Sequence, residues 1–175
     1  ESKIYVFHDA AKAGRVRANR LQQNQIRKYL FSSIIDLNYY QKIIGYFGQL
    51  YSGRGIDVIK ELAQLNPSFA FVVYGGNEKE NIYYKNKNNL KNLFFMGHLQ
   101  PRYTYEVMSA MNVLLMPYQK SVSIGIEGFD TAEWMSPMKM FEYMSTGIPI
   151  ISSDLPVLHE VLKDNENCLL VKPKD

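Results

Sequence analysis

Lys139 and Glu142 place a cation and a carboxylate three residues apart in the run Ser136-Pro137-Met138-Lys139-Met140-Phe141-Glu142-Tyr143-Met144-Ser145-Thr146-Gly147. Two chemistries suit them. They can pair with each other across one helical turn, in the weaker Lys-before-Glu order, worth at most about 0.2–0.5 kcal/mol. Or they can serve one ligand with two kinds of group, an anion such as a diphosphate at Lys139 and the hydroxyls of a ribose at Glu142. The second use needs a helix with an open mouth. Ser136 reads as the cap of such a helix and Pro137 as its first residue, where a missing N–H is no loss. The amides of Met138 and Lys139 then face outward, and with the helix dipole and the Lys139 ammonium they make a site for an anion. Gly147 reads as the left-handed end of the helix, and 148–151 as a short buried strand. Phe141, Met144 and Ser145 form an apolar face, while Met140 and Tyr143 make other sides apolar too, so the helix is expected to be largely buried. A carboxylate within it needs a partner, because an unpaired buried charge is costly.

A second group of residues has the same kind of chemistry. The apolar run 43–47 reads as a buried strand and ends in Gly48-Gln49-Leu50-Tyr51-Ser52-Gly53-Arg54-Gly55. Helical spacing of Ile56, Ile59, Leu62, Ala63 and Leu65 follows. A strand, a glycine-rich loop and a helix form the arrangement that cradles phosphates, although the loop is neither G-x-G-x-x-G nor a P-loop and is equally readable as a tight turn.

The remaining elements follow in order. The run 4–7 reads as a strand with a His8-Asp9-Ala10 turn behind it, and 17–31 as an amphipathic helix whose basic residues form a solvated face. Asn66-Pro67 breaks the helix at 56–65. Strands are expected at 69–74, ending in Gly75-Gly76, at 93–96, followed by Gly97-His98-Leu99, and at 113–116, followed by Pro117-Tyr118. A surface helix is expected in 77–92 and another from Pro101. The connection 119–133 has no clear periodicity, and a length of that kind marks a functional or mobile loop, here a flap leading into the Ser136 helix. Ser152-Ser153-Asp154 reads as the cap of a further helix with Pro156 near its start, and 168–171 as the last strand. Buried strands alternating with helices predict an α/β fold, a doubly wound, Rossmann-like parallel sheet of about six strands with helices on both faces. Ligands of such sheets bind beyond the carboxyl ends of the strands. Gln49, Arg54, Gly75, His98, Tyr118 and Ser136 all fall at such ends, which points to a nucleotide-type ligand.

Bulk properties narrow the classes. With 175 residues, 46% of them hydrophobic and 21% charged, the chain has the makings of one globular domain with a sizeable core. A net charge of +3 is too small to argue for nucleic acid, and the Asn/Lys/Tyr mixture at 77–92 matches no RNA-binding pattern. No apolar run is long enough to cross a bilayer. The single cysteine, Cys168, precludes an internal disulfide and suits a reducing compartment, so a cytoplasmic location is expected. His8, His98 and His159 lie far apart with no cluster of ligating residues around them, so no metal is expected.

The run 136–151 resembles the donor-binding helix of retaining family 4 glycosyltransferases, the "glycosyl transferases group 1" proteins. In that family the helix start binds the diphosphate of a sugar nucleotide and a mid-helix Glu, here Glu142, holds the ribose. The family often carries another Glu eight residues earlier, where this chain has Trp134; Glu127 and Glu133 are out of register. The loop at 48–55 is similar to the family's Gly-Arg-Leu loop with a Lys five residues after the Arg. Gln49 stands at the Arg position and Arg54 at the Lys position, so one cation is lost and the other kept. The turn Gly97-His98-Leu99 resembles the one whose backbone faces the base. The resemblance implies donor contacts at Gly48, Gln49, Arg54, Gly75, His98, Leu99, Tyr118, Ser136, Pro137, Met138, Lys139 and Glu142. It implies a single donor-binding domain over 1–175, the C-terminal half of a two-domain GT-B enzyme stopping before its last helices. The acceptor and most catalytic groups would then belong to a missing N-terminal domain, and the catalytic residues themselves are unknown. The substrate would be a nucleoside diphosphate sugar, donating a hexosyl unit to a glycan, lipid or other acceptor in polysaccharide synthesis. No cofactor, metal, nucleic acid or direct membrane contact is expected, although the missing domain could bring the enzyme to the inner face of a membrane. The chain alone would not transfer sugar. A non-enzymatic nucleotide-binding or regulatory module of the same fold stays open. A nicotinamide dehydrogenase is disfavoured, because no G-x-G-x-x-G follows 43–47 and no acidic residue ends the strand 69–74.

Overall fold

A computed structural model describes Ala11 and residues 19–123, 125–126 and 130–173. The expected strand at 4–7 and the turn at His8-Asp9-Ala10 lie outside these residues. Six strands, β1 (Lys42–Phe47), β2 (Phe69–Tyr74), β3 (Leu93–Gly97), β4 (Val113–Met116), β5 (Ile150–Ser153) and β6 (Leu169–Val171), form one sheet in the order β3-β2-β1-β4-β5-β6. Every pairing is parallel. The chain winds outward from β1 in one direction and then, from β4, in the other, so the topological switch lies between β1 and β4.

Alternation along the strands splits the core into two layers. Ile43, Phe47, Ala70, Val72, Leu114 and Met116 face a cluster completed by α1 (Arg20–Phe31), α4 (Pro101–Ser109) and α5 (Met138–Thr146). Ile44, Tyr46, Phe71, Val73, Leu93 and Phe95 face a second one, completed by α2 (Ile56–Leu65) and α3 (Glu78–Lys87). The sheet is therefore covered on both sides, which is why its strands are apolar at consecutive positions rather than at alternate ones.

The helices follow local chemistry. Asn19 and Gln22 close a reciprocal capping box at the start of α1, so that helix begins at Arg20 among the described residues. Helix α2 buries Ile56, Ile59 and Ala63 along one stripe and ends where Asn66 turns its amide back onto the Leu62 carbonyl (2.9 Å). Helix α3 is shorter than the expected 77–92. Asn88 leaves the helical conformation and spends its amide on Leu93 O (2.8 Å), an alternative to helix that Asn side chains offer readily.

Four further expectations change. The N-cap of α5 is Pro137, not Ser136, and no side chain caps the helix. The strand expected at 148–151 runs instead from Ile150 to Ser153. The Ile148 N–H is taken by Thr146 Oγ1 (3.1 Å), and Pro149 has no N–H to give, so the ladder can only begin at Ile150. The helix expected after Ser152-Ser153-Asp154 is one 3₁₀ turn, Pro156–Leu158. Asp154 does not cap it: its N–H still bonds Val171 O (2.7 Å) on β6, and its carboxylate meets the His159 ring. β6 starts at Leu169, one residue later than the expected 168.

Candidate functional site

The site is built on how α5 is hung from the sheet. β1 and β4 pair only through Ile44 with Val113 and Gly45 with Leu114. Ile43 and Phe47 present their N–H and C=O on the same side, toward β4, one at each end of that short ladder. At the lower end the Asn112 amide oxygen accepts the Ile43 N–H (2.8 Å). At the upper end no strand is left, and the Tyr143 hydroxyl takes its place. It accepts the Phe47 N–H (2.8 Å) and donates to the Phe47 carbonyl (3.3 Å). Tyr143 is fully buried, and with Met140 and Thr146 it forms the inner face of α5. Burying Met140 and Tyr143 contributes roughly 1.5–3 kcal/mol each. The expected apolar face of Phe141, Met144 and Ser145 is not the inward one, since Met144 is exposed and Phe141 and Ser145 are half-buried.

This suspension sets the mouth of α5 at the carboxyl ends of β1 and β4. Met138 is 60% exposed, Ser136 is exposed and Pro137 half-buried, so the mouth is open to solvent. The amides of Met138 and Lys139 start the helix and have no acceptor within it. Gly147 closes the other end at φ 66°, as expected. Glu142 is half-buried, one turn in from the mouth.

Lys139 does not reach outward, and the pair with Glu142 is not hydrogen-bonded. The stem keeps some exposure, but Nζ is shut off from solvent and has no hydrogen-bond partner. It lies over the Tyr46 ring (4.2 Å to the centroid) and the Tyr118 ring (5.0 Å). The space it fills is the one a side chain on Gly48 would take. Arg54 comes to the same place from the loop before α2, with Cζ 5.4 Å from the Tyr118 centroid and Nη1 donating to the Tyr118 hydroxyl (3.4 Å). Its Nε is also buried without a partner. Burial first, and the Arg54 guanidinium second, pull the Lys139 ammonium down from 10.5 to about 7, while Glu142 opposes them. Burial likewise holds the Tyr118 and Tyr46 hydroxyls above their ordinary value. Tyr118 is thus the floor beneath two cations rather than an exposed contact surface.

Next to the mouth the tips of β1 and β2 touch. A side chain on Gly75 would collide with the Gly48 carbonyl, and Gly75 sits at φ +121°, where other residues are strained. Beyond them lies a groove of about 700 Å³ lined by Gln49, Tyr51, Gly76, Asn81, Gly97 and His98, among others. Gln49 and His98 are exposed there, and Gln49 O accepts from the Tyr46 hydroxyl (2.6 Å). Leu99 packs its side chain on the core and so leaves the groove. The Asn81 amide donates to Gly75 O (2.8 Å) and Asn77 O (2.9 Å), which leaves its buried Oδ1 as an acceptor without a donor. A larger hollow, about 880 Å³, lies at the opposite end of the sheet beside Arg27 and Asn112 and takes no part in this arrangement.

The connection from 119 to 133 is anchored at its base. Ser123 and Asp130 form an antiparallel bridge, and the Asp130 carboxylate accepts the N–H groups of Val122 and Ala132 (2.9 Å each), bonds that hold its pKa below the ordinary carboxylate value. Residue 124 and 127–129, including Glu127, lie outside the described residues. Trp134 is 82% exposed.

Sequence reasoning missed Tyr46, Tyr143 and Asn81. The two tyrosines carried one available signal, a polar tip inside an otherwise apolar strand or helix face, which a buried hydroxyl must satisfy. Among the described residues no three His, Cys, Asp or Glu gather as a metal site would need, and no helix is long and apolar enough to cross a membrane.

The sequence model of the family described as "Glycosyl transferases group 1" matches residues 41–175. TuaH of Bacillus subtilis (strain 168), assigned as a teichuronic acid biosynthesis glycosyltransferase, is 23% identical over 122 residues. That match covers 69% of this chain and 29% of TuaH. Among solved structures, HepE of Anabaena in complex with UDP superposes with a TM-score of 0.65 at 16% identity, over 91% of this chain and 41% of HepE. The C-terminal domain of LpcC, a glycosyl transferase group 1 family protein of Francisella tularensis, gives 0.63 at 21% identity over 91% of this chain and 77% of that domain structure. The chain thus spans less than half the length of TuaH or HepE, and at these identities the structural likeness carries the fold.

Proposed function

Since this chain belongs to the glycosyl transferases group 1 family, we propose that it is the nucleotide-sugar half of a two-domain glycosyltransferase. The observation that carries the reading is the pair of buried, unsatisfied cationic atoms, Lys139 Nζ and Arg54 Nε, placed behind an open helix mouth at the switch point of the sheet. Buried positive charge without a partner is costly, and a diphosphate supplies the partner. In this reading the diphosphate lies on the Met138 and Lys139 amides and along the Gly48–Gly75 contact. Glu142 accepts hydrogen bonds from the ribose hydroxyls, and the base enters the groove at Gly97-His98. The family resemblance adds a hexosyl donor and retention of configuration.

Transfer breaks the bond between the sugar's anomeric carbon and the diphosphate oxygen, and the electron pair stays on the departing diphosphate. Lys139, Arg54 and the helix amides stabilise that growing charge without reorganising. Because protein groups meet the charge, donor binding needs no metal. The acceptor and the group that receives its proton belong to a second domain, so this chain alone binds donor without transferring sugar, in the cytoplasm. HepE, which shares the fold, is described with UDP and with UDP-glucose, which makes UDP the first nucleotide to try.

Calorimetry with UDP, GDP, ADP and NAD in the presence of EDTA tests the proposal. One nucleoside diphosphate should bind. Loss of a hydrogen bond to a charged group costs about 1.5–3 kcal/mol, so Glu142→Ala and Arg54→Ala should each weaken binding by roughly tenfold or more. Binding of NAD alone would overturn the reading.

A further inference from the structure

We propose that Lys139 is charged by its ligand: above neutral pH the empty domain holds it largely as a neutral amine, and an arriving nucleoside diphosphate converts it to an ammonium with a proton drawn from solvent. The inference rests on the nucleotide reading above and goes beyond it, because it assigns a proton to the binding step.

The geometry carries it. Nζ has no hydrogen-bond partner and no solvent. A fully paired lysine would make up to three hydrogen bonds there, and an ammonium denied all of them tends to give up its proton rather than stay charged. The groups that face it come from four places. β1 brings the Tyr46 ring, and the loop after β4 brings the Tyr118 ring. The loop before α2 brings the Arg54 guanidinium, which repels a second cation, and α5 itself brings Glu142, which attracts one. Tyr143 lies on the same helix, but its hydroxyl is committed to Phe47. The two tyrosine hydroxyls stay protonated, since burial raises both. The one carboxylate in this set is thus set against a guanidinium and full desolvation, and the balance of these effects is an ammonium lowered to about 7. A diphosphate seated on the neighbouring amides adds negative charge and reverses that balance. Each bound nucleotide then takes up close to one proton above neutral pH.

The full 175-residue chain, labelled with ¹³C at lysine Cε, can be titrated by NMR between pH 5.5 and 10.5 with and without saturating UDP, with Lys139→Met identifying the signal. Expected is one lysine with a midpoint near neutrality in the free chain, moved up by at least one pH unit by UDP. UDP affinity should fall up to tenfold per pH unit above pH 7 in the native chain. In Lys139→Arg, whose guanidinium cannot lose its proton, it should stay level. A free-state midpoint at the ordinary lysine value overturns the proposal. So does an unmoved midpoint while UDP shifts signals elsewhere, a result that leaves the nucleotide reading standing. If UDP, GDP and ADP perturb nothing at all, the nucleotide reading falls, and this inference with it.

Discussion

Replacing Lys139 with methionine should make the empty domain more stable. Methionine keeps an unbranched stem of similar length and removes the nitrogen. An ammonium brought from 10.5 to about 7 costs the folded state about 5 kcal/mol, at about 1.4 kcal/mol per unit. The faces of Tyr46 and Tyr118 return about 0.5–2 kcal/mol each, so the net gain from Lys139→Met is about 1–4 kcal/mol. At about 2–4 °C per kcal/mol for a chain of this size, the melting temperature should rise by about 2–16 °C near pH 7. The sign with pH follows from linkage. Between about pH 7 and pH 10.5 the unfolded chain binds more protons at this lysine than the folded one, so native stability rises with pH in that window. Below it both states are protonated and the full cost is present; above it the cost is gone. The advantage of Lys139→Met should therefore be greatest at or below pH 7 and close as pH approaches 10.5. Differential scanning calorimetry of both proteins at pH 6 to 10, in buffers free of phosphate and nucleotide, reads it directly. A variant that melts at or below the native temperature at pH 7, or an advantage that widens with pH, would refute the reasoning.

Two other substitutions probe the framework. Tyr143→Phe keeps the ring but leaves the buried Phe47 N–H without an acceptor, at about 1–3 kcal/mol, so urea unfolding should show that loss; an unchanged midpoint would mean the N–H finds another partner. Gly75→Ala drives a methyl into the Gly48 carbonyl at a left-handed backbone position. Relaxing that contact separates the β1 and β2 tips and should lower stability by about 1–3 kcal/mol, seen in the same assay, with nucleotide affinity falling alongside.

The fold was legible because its signals are local. Unbroken apolar runs mark β2 at Phe69–Tyr74 and β4 at Val113–Met116, and the spacing of Ile56, Ile59 and Ala63 marks α2. The open mouth of α5 and its glycine end were legible for the same reason. What failed was decided either by side chains that compete locally for backbone groups or by partners remote in sequence. Ser136 looked like a cap and is not one. The ladder begins at Ile150 because a threonine in the preceding turn captures the Ile148 amide. The sequence places the Lys139 ammonium beside the outward amides as part of an anion site, but does not reveal the direction the side chain takes. Its direction depends on the Tyr46 ring of β1 and the Tyr118 ring of the loop after β4, and nothing in 136–151 announces them. The residues at the helix mouth are visible in the sequence, while those that aim them are not.

The hydroxyl of Tyr143 acts as a hinge pin with no play. One side chain stands in for a whole strand at the tip of β1, so α5 cannot tilt or slide without uncovering polar backbone in the middle of the molecule. The mouth of that helix is thus tied to the tip of β1 through the sheet's own backbone. On the proposed reading, α5 receives nucleotide as a fixed wall, and any movement that admits the donor belongs to other parts of the site.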